Sequence, residues 1–253
     1  MELTWDSCDW AHPAIDVQDG VVWVTHPNGH TLTSSDGRSI ETDVLEPHYL
    51  RWPWAVDTGS KRYVHGSDFE TVRTRGRVVR LTDGYELPDP YPDEKYSPTA
   101  VAVDARGNVW VADGYGQSLV HRHRPEGELD LTLEGFATPH SIAVVDDLLL
   151  VCDRANGRVV LTDFTAGRVT VLTRDGELVE HLCSGGRSPD EDAWPNRRDA
   201  EGNIVGPETA RGVLNSPHTL AADRNGDVFV TEWLIGGRVT KLARYRGGSW
   251  ISA

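Results

Sequence analysis

The stretch Ser97–Arg158, SPTAVAVDARGNVWVADGYGQSLVHRHRPEGELDLTLEGFATPHSIAVVDDLLLVCDRANGR, holds one repeat unit and the start of the next. An apolar run at Ala100–Val103, a polar turn at Asp104–Asn108 and a second run at Val109–Ala112 end in Asp113-Gly114-Tyr115. The same grammar returns as Ser141–Val145, Asp146-Asp147, Leu148–Cys152 and then Asp153-Arg154. Short apolar runs between Gly, Asp and Asn turns are strands, and self-similarity at about 40 residues marks a blade-like unit.

Outward from this stretch, first strands start at Ala14, Tyr49, Ala100, Ser141 and Thr219, at intervals of 35, 51, 41 and 78 residues. The last interval is nearly twice the repeat. A unit with a weakened signature is therefore expected between Leu161 and Asn215, with Arg168–Leu172 and Leu178–Leu182 as its strands. The pattern predicts an all-β chain, a β-propeller of six blades with a degenerate or shortened fifth, forming a single domain over residues 1–253. In the second unit Trp52–Val56, Arg62–Val64 and Arg77–Leu81 read as successive strands. The Pro- and acid-rich segment Glu86–Tyr96 reads as a loop, because the repeat continues beyond it. Residues 184–212 form a long polar excursion, which is a lid, a binding loop, a disordered segment or a degraded blade. Residues Glu2–Trp5 are expected to add an outer strand to the last unit and so leave no open edge.

A net charge of −14 on 253 residues argues against nucleic acid or an anionic membrane as partner, since either needs a basic patch. Simple solubility accounts for the acidity. Three scattered cysteines, Cys8, Cys152 and Cys183, make no disulfide framework, and the N-terminus shows neither a basic nor an apolar leader segment. The expectation is a soluble, cytoplasmic monomer acting on a small molecule or peptide.

The tripeptides entering the first strands are His12-Pro13-Ala14, Glu46-Pro47-His48, Ser97-Pro98-Thr99, Thr138-Pro139-His140 and Ser216-Pro217-His218. Histidine follows the proline on the second, fourth and sixth units. Innermost strands of a propeller surround a channel, so alternate units stand about 120° apart, and three imidazoles there offer a face for a divalent metal with one position open. The plainer explanation is turn chemistry copied by duplication, though duplication alone does not favour alternate units. His26, His30, His65, His121, His123 and His181 lack this spacing and read as surface or outer-strand residues.

A second register lies just after the second strand and supplies Asp113-Gly114-Tyr115 and Asp153-Arg154. Tyr115 beside a metal would suit proton transfer, and Arg154 would suit a bidentate grip on a carboxylate. The competing reading makes the aspartates turn caps and leaves Tyr115 and Arg154 as packing residues.

The segments SPTAVAVD, VADGYGQS, TPHSIAVV, CDRANGR and SPHTLAAD resemble NHL-repeat propellers, and among these the catalytic core of peptidyl-α-hydroxyglycine α-amidating lyase. That resemblance implies Zn2+ on His48, His140 and His218, proton transfer by Tyr115 and substrate contact by Arg154. It also implies a structural Ca2+ held partly by an aspartate after the last zinc histidine, where this sequence has Thr219. Three functions follow as readings. The first is a metal-dependent lyase or hydrolase of a small polar substrate. The second is a non-catalytic propeller that binds a protein or peptide. The third is a gluconolactonase-type lactonase, which the alternating histidines fit less well.

Overall fold

The computed structural model describes residues 82–154, 168–183 and 195–245 continuously, together with 15–18, 21–25, 31–34, 39–41, 50–51, 54–57, 59–65, 68–73, 75–80 and 250–252. Their regular elements are all strands. No helix among them is long and apolar enough to cross a membrane.

The first sheet runs β1 (Ile15–Gln18), β2 (Val21–Thr25), β3 (Thr31–Ser34) and β4 (Ser39–Glu41) in chain order. The second is built from β5 (Leu50–Arg51) and β6 (Trp54–Asp57), then β9 (Arg77–Arg80) and β10 (Tyr85–Glu86), while β7 (Ser60–His65) and β8 (Asp68–Arg73) pair only with each other. Residues Arg62–Val64, expected as the second strand of that unit, therefore belong to an inserted hairpin. Strand β6 pairs directly with β9, from Trp54 opposite Arg80 to Asp57 opposite Arg77.

The third sheet is β11 (Ala100–Val103), β12 (Val109–Asp113), β13 (Leu119–His123) and β14 (Leu129–Leu133). The fourth is β15 (Pro139–Val145), β16 (Leu148–Asp153), β17 (Arg168–Thr173) and β18 (Leu178–Leu182). This corrects the sequence assignment of the last two strands, which complete the fourth unit instead of starting a fifth. Leu150 stands opposite Val171, and Asp153 opposite Arg168. Between this sheet and the last, the described residues hold one hairpin, β19 (Arg197–Arg198) with β20 (Ile204–Val205). The last sheet is β21 (Pro217–Ala222), β22 (Val228–Glu232), β23 (Arg238–Arg244) and β24 (Trp250–Ser252). Its outer position is taken by β24; Glu2–Trp5 lie outside the described residues.

One turn recurs. At 104–108, 124–128, 173–177, 199–203 and 223–227 the first residue donates its N–H to the carbonyl of the fifth, and the fourth is a glycine donating back to the first. Those glycines have φ between 79° and 96°, the left-handed region that a three-residue hairpin with a bulge requires. Asp104, Asp199 and Asp223 open three of these turns, and each accepts two backbone N–H groups of its own turn through Oδ1. Burial drives the Asp104 carboxyl upward, but Asn108, the Arg106 N–H and Trp110 outweigh it and hold the group below the usual carboxylate range.

The chain divides into two compact units, Met1–His48 with Ala143–Ala253, and Tyr49–Ile142. In the second unit Trp54, Val56 and Val78 pack with Val101, Val109 and Val111. In the first, Leu150, Cys152, Val169 and Val171 pack with Leu220, Val228, Val230 and Leu242. Both faces of β12 and of β22 are buried, which is why these strands read as unbroken apolar runs up to their terminal acid.

Candidate functional site

Within the Tyr49–Ile142 unit, Tyr115 and His140 meet. The Tyr115 hydroxyl lies 2.7 Å from His140 Nε2, and the rings stand edge to face with centroids 5.2 Å apart. His140 is buried on the first strand of its sheet, directly after Pro139. Tyr115 sits on the turn after β12. That turn is fixed by close packing: a Cβ on Gly114 would run into the Pro139 carbonyl oxygen and stand 2.8 Å from Thr99 Oγ1, and Thr99 Oγ1 itself donates to Pro139 O at 2.9 Å. Gly116 likewise lies against the Asp113 carboxylate. Only glycine at these two places lets the Tyr115 turn lie on the strand that carries His140.

Asp113 organises the turn from beneath. Fully buried, it accepts the Ser97 N–H at 2.7 Å on Oδ1, and the Gln117 N–H and the Tyr91 hydroxyl, each at 2.7 Å, on Oδ2. A buried carboxylate needs such donors, since desolvation without partners costs several kcal/mol. Its backbone carbonyl also takes the N–H groups of Gly116 and Ser118. The aspartate is thus the turn anchor that the competing sequence reading described. Lys95 adds a bond from Nζ to the Tyr115 carbonyl.

Tyr91 links this anchor to His121, whose Nε2 is 2.7 Å from the same hydroxyl. Burial and Asp113 push the Tyr91 hydroxyl far above the usual tyrosine range, so it keeps its proton and donates a hydrogen bond to Asp113. His121 Nε2 must then donate to the Tyr91 oxygen, which leaves Nδ1 to accept from Thr132 Oγ1 at 3.0 Å. Burial, with His123 nearby, drives the His121 imidazole down to about 4, so it is neutral at pH 7. His121 and His123, expected as surface or outer-strand residues, are fully buried on β13, the third strand of its sheet. Their partners are a tyrosine thirty positions away, a threonine and the Gly127 carbonyl, none of which a histidine-spacing argument reveals. His181 is exposed on the outer strand β18, as expected, while His26, His30 and the His65 side chain lie outside the described residues.

In the unit that includes residues 143–253, His218 is fully buried on β21 after Pro217. Thr219 follows it and its hydroxyl lies 2.8 Å from that of Thr231. Arg154 is only 5% exposed and follows Asp153 at the end of β16. Its guanidinium carbon stands 4.7 Å above the Trp233 ring centroid. Trp233 was not singled out by the sequence; the available signal was its place immediately after the strand-end acid Glu232, as Arg154 follows Asp153. His48 lies outside the described residues. Among the described residues no group of three His, Cys, Asp or Glu side chains gathers closely enough to hold a metal ion.

The described part of the long excursion is tied to the turn after β22 and to the segment that leads into β21. Asn196 Oδ1 accepts the Ile235 N–H at 2.8 Å, and Asn215 Nδ2 donates to the Pro195 carbonyl at 2.6 Å.

No protein-family model matches the chain. A probable peptidyl-α-hydroxyglycine α-amidating lyase of Caenorhabditis elegans is 28% identical over 208 residues, covering 71% of this chain and 57% of that protein. Peptidyl-α-hydroxyglycine α-amidating lyase 1 of Drosophila melanogaster is 39% identical over 150 residues, 53% of this chain and 24% of the other. Peptidyl-glycine α-amidating monooxygenase B of Xenopus laevis is 30% identical over 254 residues, 85% of this chain and 28% of the other. The chain thus spans 57% of the first of these relatives and about a quarter of the other two. Among solved structures, virginiamycin B lyase from Staphylococcus aureus matches with a TM-score of 0.52 at 15% identity, over 100% of this chain and 87% of that one. A streptogramin B lyase structure matches with a TM-score of 0.50 at 15% identity, over 95% and 97%. At such identity these two speak for the fold alone, which is the all-β propeller. In sequence the chain is similar to the amidating lyases, as its Asp-Gly-Tyr and Pro-His motifs imply.

Proposed function

We propose that this chain is a lyase of the amidating-lyase type, acting on a small polar substrate that carries a carboxylate beside a hydroxyl-bearing carbon. The observation that carries the reading is the Tyr115 hydroxyl held 2.7 Å from the buried imidazole of His140, on a turn whose two glycines are dictated by packing. The similarity to amidating lyases supports it.

Breaking the C–N bond of an α-hydroxyglycine requires that the hydroxyl lose its proton as the carbonyl forms, and that the departing nitrogen gain one. Tyr115 would move that proton, and Arg154 would hold the carboxylate with paired N–H donors. His48, His140 and His218 would hold Zn2+. The donor chemistry suits it: His140 and His218 are buried nitrogen donors, each following a proline at the start of a first strand. Bound there, such an ion would act as a Lewis acid on the substrate oxygen. Thr219, bonded to Thr231, stands where a Ca2+ site would want a carboxylate, so Ca2+ is left out of the proposal.

The test combines metal content with turnover of an N-acyl-α-hydroxyglycine to amide and glyoxylate. The wild type should carry about one zinc per chain and turn over. His140→Ala should lose the metal, and Tyr115→Phe should keep it while losing about a hundredfold or more in kcat. Zinc retained at wild-type affinity in His140→Ala would overturn the metal assignment. A folded wild type that neither takes up zinc nor turns over would leave a binding propeller as the better account.

A further inference from the structure

Six close cation–aromatic pairs occur among the described residues, and five of them involve a partly exposed cation. Arg80, Arg122, Lys241 and Arg244 keep side-chain exposures of 31, 18, 33 and 24%, and lie 4.9–5.5 Å from their ring centroids. The sixth is Arg154 on Trp233, the shortest at 4.7 Å, with a guanidinium on a residue only 5% exposed. Stacking of this kind is weak in water and strengthens severalfold once the cation is desolvated. The buried pair is therefore the one in which removing the ring changes most.

The backbone that carries the ring is held on several sides. Trp233 follows Glu232, whose buried Oε1 accepts the Asn215 N–H at 2.6 Å, and its own N–H donates to Ser216 O at 2.9 Å. The turn closes with Gly237 N–H on Leu234 O at 3.0 Å, and is held from the side by Asn196 on the Ile235 N–H. The sequence position also recurs: the residue after the buried strand-end acid is Gly114 on β12, Arg154 on β16 and Trp233 on β22. With the guanidinium carbon 4.7 Å over the indole, stacking favours one plane for the Arg154 N–H groups, and a carboxylate meets such a planar fork bidentately. Asp153, the neighbouring carboxylate, pairs across the ladder with Arg168 at 3.6 Å.

We infer that Trp233 is a positioning residue for a carboxylate-recognition subsite, fixing the plane in which Arg154 meets the carboxylate of the substrate. This rests on the proposed role of Arg154. Trp233 acts through Arg154 and needs no contact with the reacting atoms.

The test is NMR on arginine-labelled, full-length protein with glycolate as the probe, Arg154→Lys supplying the resonance assignment. Without ligand, the Arg154 δ-CH2 protons should be shifted upfield by the indole, and should return to ordinary values in Trp233→Leu. Glycolate should perturb the Arg154 Nε–H signal, with Kd raised about fivefold in Trp233→Leu and restored to within about twofold in Trp233→Phe, which keeps a ring. Unshifted δ-protons in the wild type, or equal glycolate binding by wild type and Trp233→Leu, would overturn the inference and leave the proposed function standing. A wild type with shifted δ-protons that binds no glycolate would overturn both, and identify the failure as that of the carboxylate reading. Should Trp233→Leu fail to fold, the ligand-free shift and the Trp233→Phe affinity still decide.

Discussion

The second strands of three sheets end in a buried acid, and the last two sheets neutralise it differently from the third. Glu232 faces Arg238 across the ladder, and Asp153 faces Arg168 in the same way. Asp113 faces Leu119 instead, and draws neutral donors from the Ser97 and Gln117 N–H groups and from Tyr91, with His121 behind. Two ends of β22 and β12 thus do one job: Glu232 holds the Asn215 N–H and Asp113 the Ser97 N–H, each fixing the segment that leads into a first strand. What differs is the space beyond. An arginine opposite Glu232 fills the strand end with guanidinium, which bonds onward to the carbonyls of Ala210 and Val213. The glycines around Asp113 leave room for Tyr115 to reach His140. The acid is architecture in both places, and what it fixes is the turn beyond it, which carries Tyr115 after β12 and Trp233 after β22.

If the ionic solution carries the last sheet, Arg238→Leu should be the most damaging change. It strands Glu232, which has no exposed surface, and should cost about 3–5 kcal/mol by chemical denaturation. Adding Glu232→Gln should recover most of that loss, because removing both charges also removes the desolvation penalty. A single mutant as stable as wild type would break the comparison.

The neutral solution should fail in acid. His121 binds its proton at about 4 in the folded chain against about 6.5 when unfolded. Between those values the unfolded state holds more protons, so stability is intact above about pH 6.5 and is lost as pH falls toward 4. Between pH 7.5 and 4.5 the wild type should lose on the order of 2 kcal/mol more than His121→Gln does. Parallel pH–stability curves for the two proteins would show that His121 titrates normally.

The smallest effect is expected at Tyr91→Phe, which removes one of the donors to Asp113 and keeps the ring that stands edge to face with Tyr96. The loss should be about 1–2 kcal/mol, with the Tyr115 turn loosened. Hydrogen exchange at the Gln117 and Ser118 amides reads this directly. Unchanged protection there would mean that the Ser97 and Gln117 N–H groups suffice, which sharpens the comparison to backbone donors against arginine.

The repeat grammar, the strand–turn–strand units and the Pro-His and Asp-Gly-Tyr positions were legible in the sequence because they rest on local rules. A glycine four places into a five-residue turn, or a proline entering a first strand, acts over a handful of residues and leaves a mark wherever it occurs. Strand partnership was not legible. Arg168–Thr173 joins the fourth sheet and 60–73 forms its own hairpin through pairings that any apolar run of similar length could make. Nor was the compensation of buried charge. Tyr91 reaches Asp113 across 22 residues and His121 across 30, and Arg154 finds Trp233 from a different sheet. Such partners are selected by desolvation in the folded core, where a charge or hydroxyl must be met by whatever the packing brings near it. That selection exists only once the sheets are assembled, so the tertiary structure alone decided it.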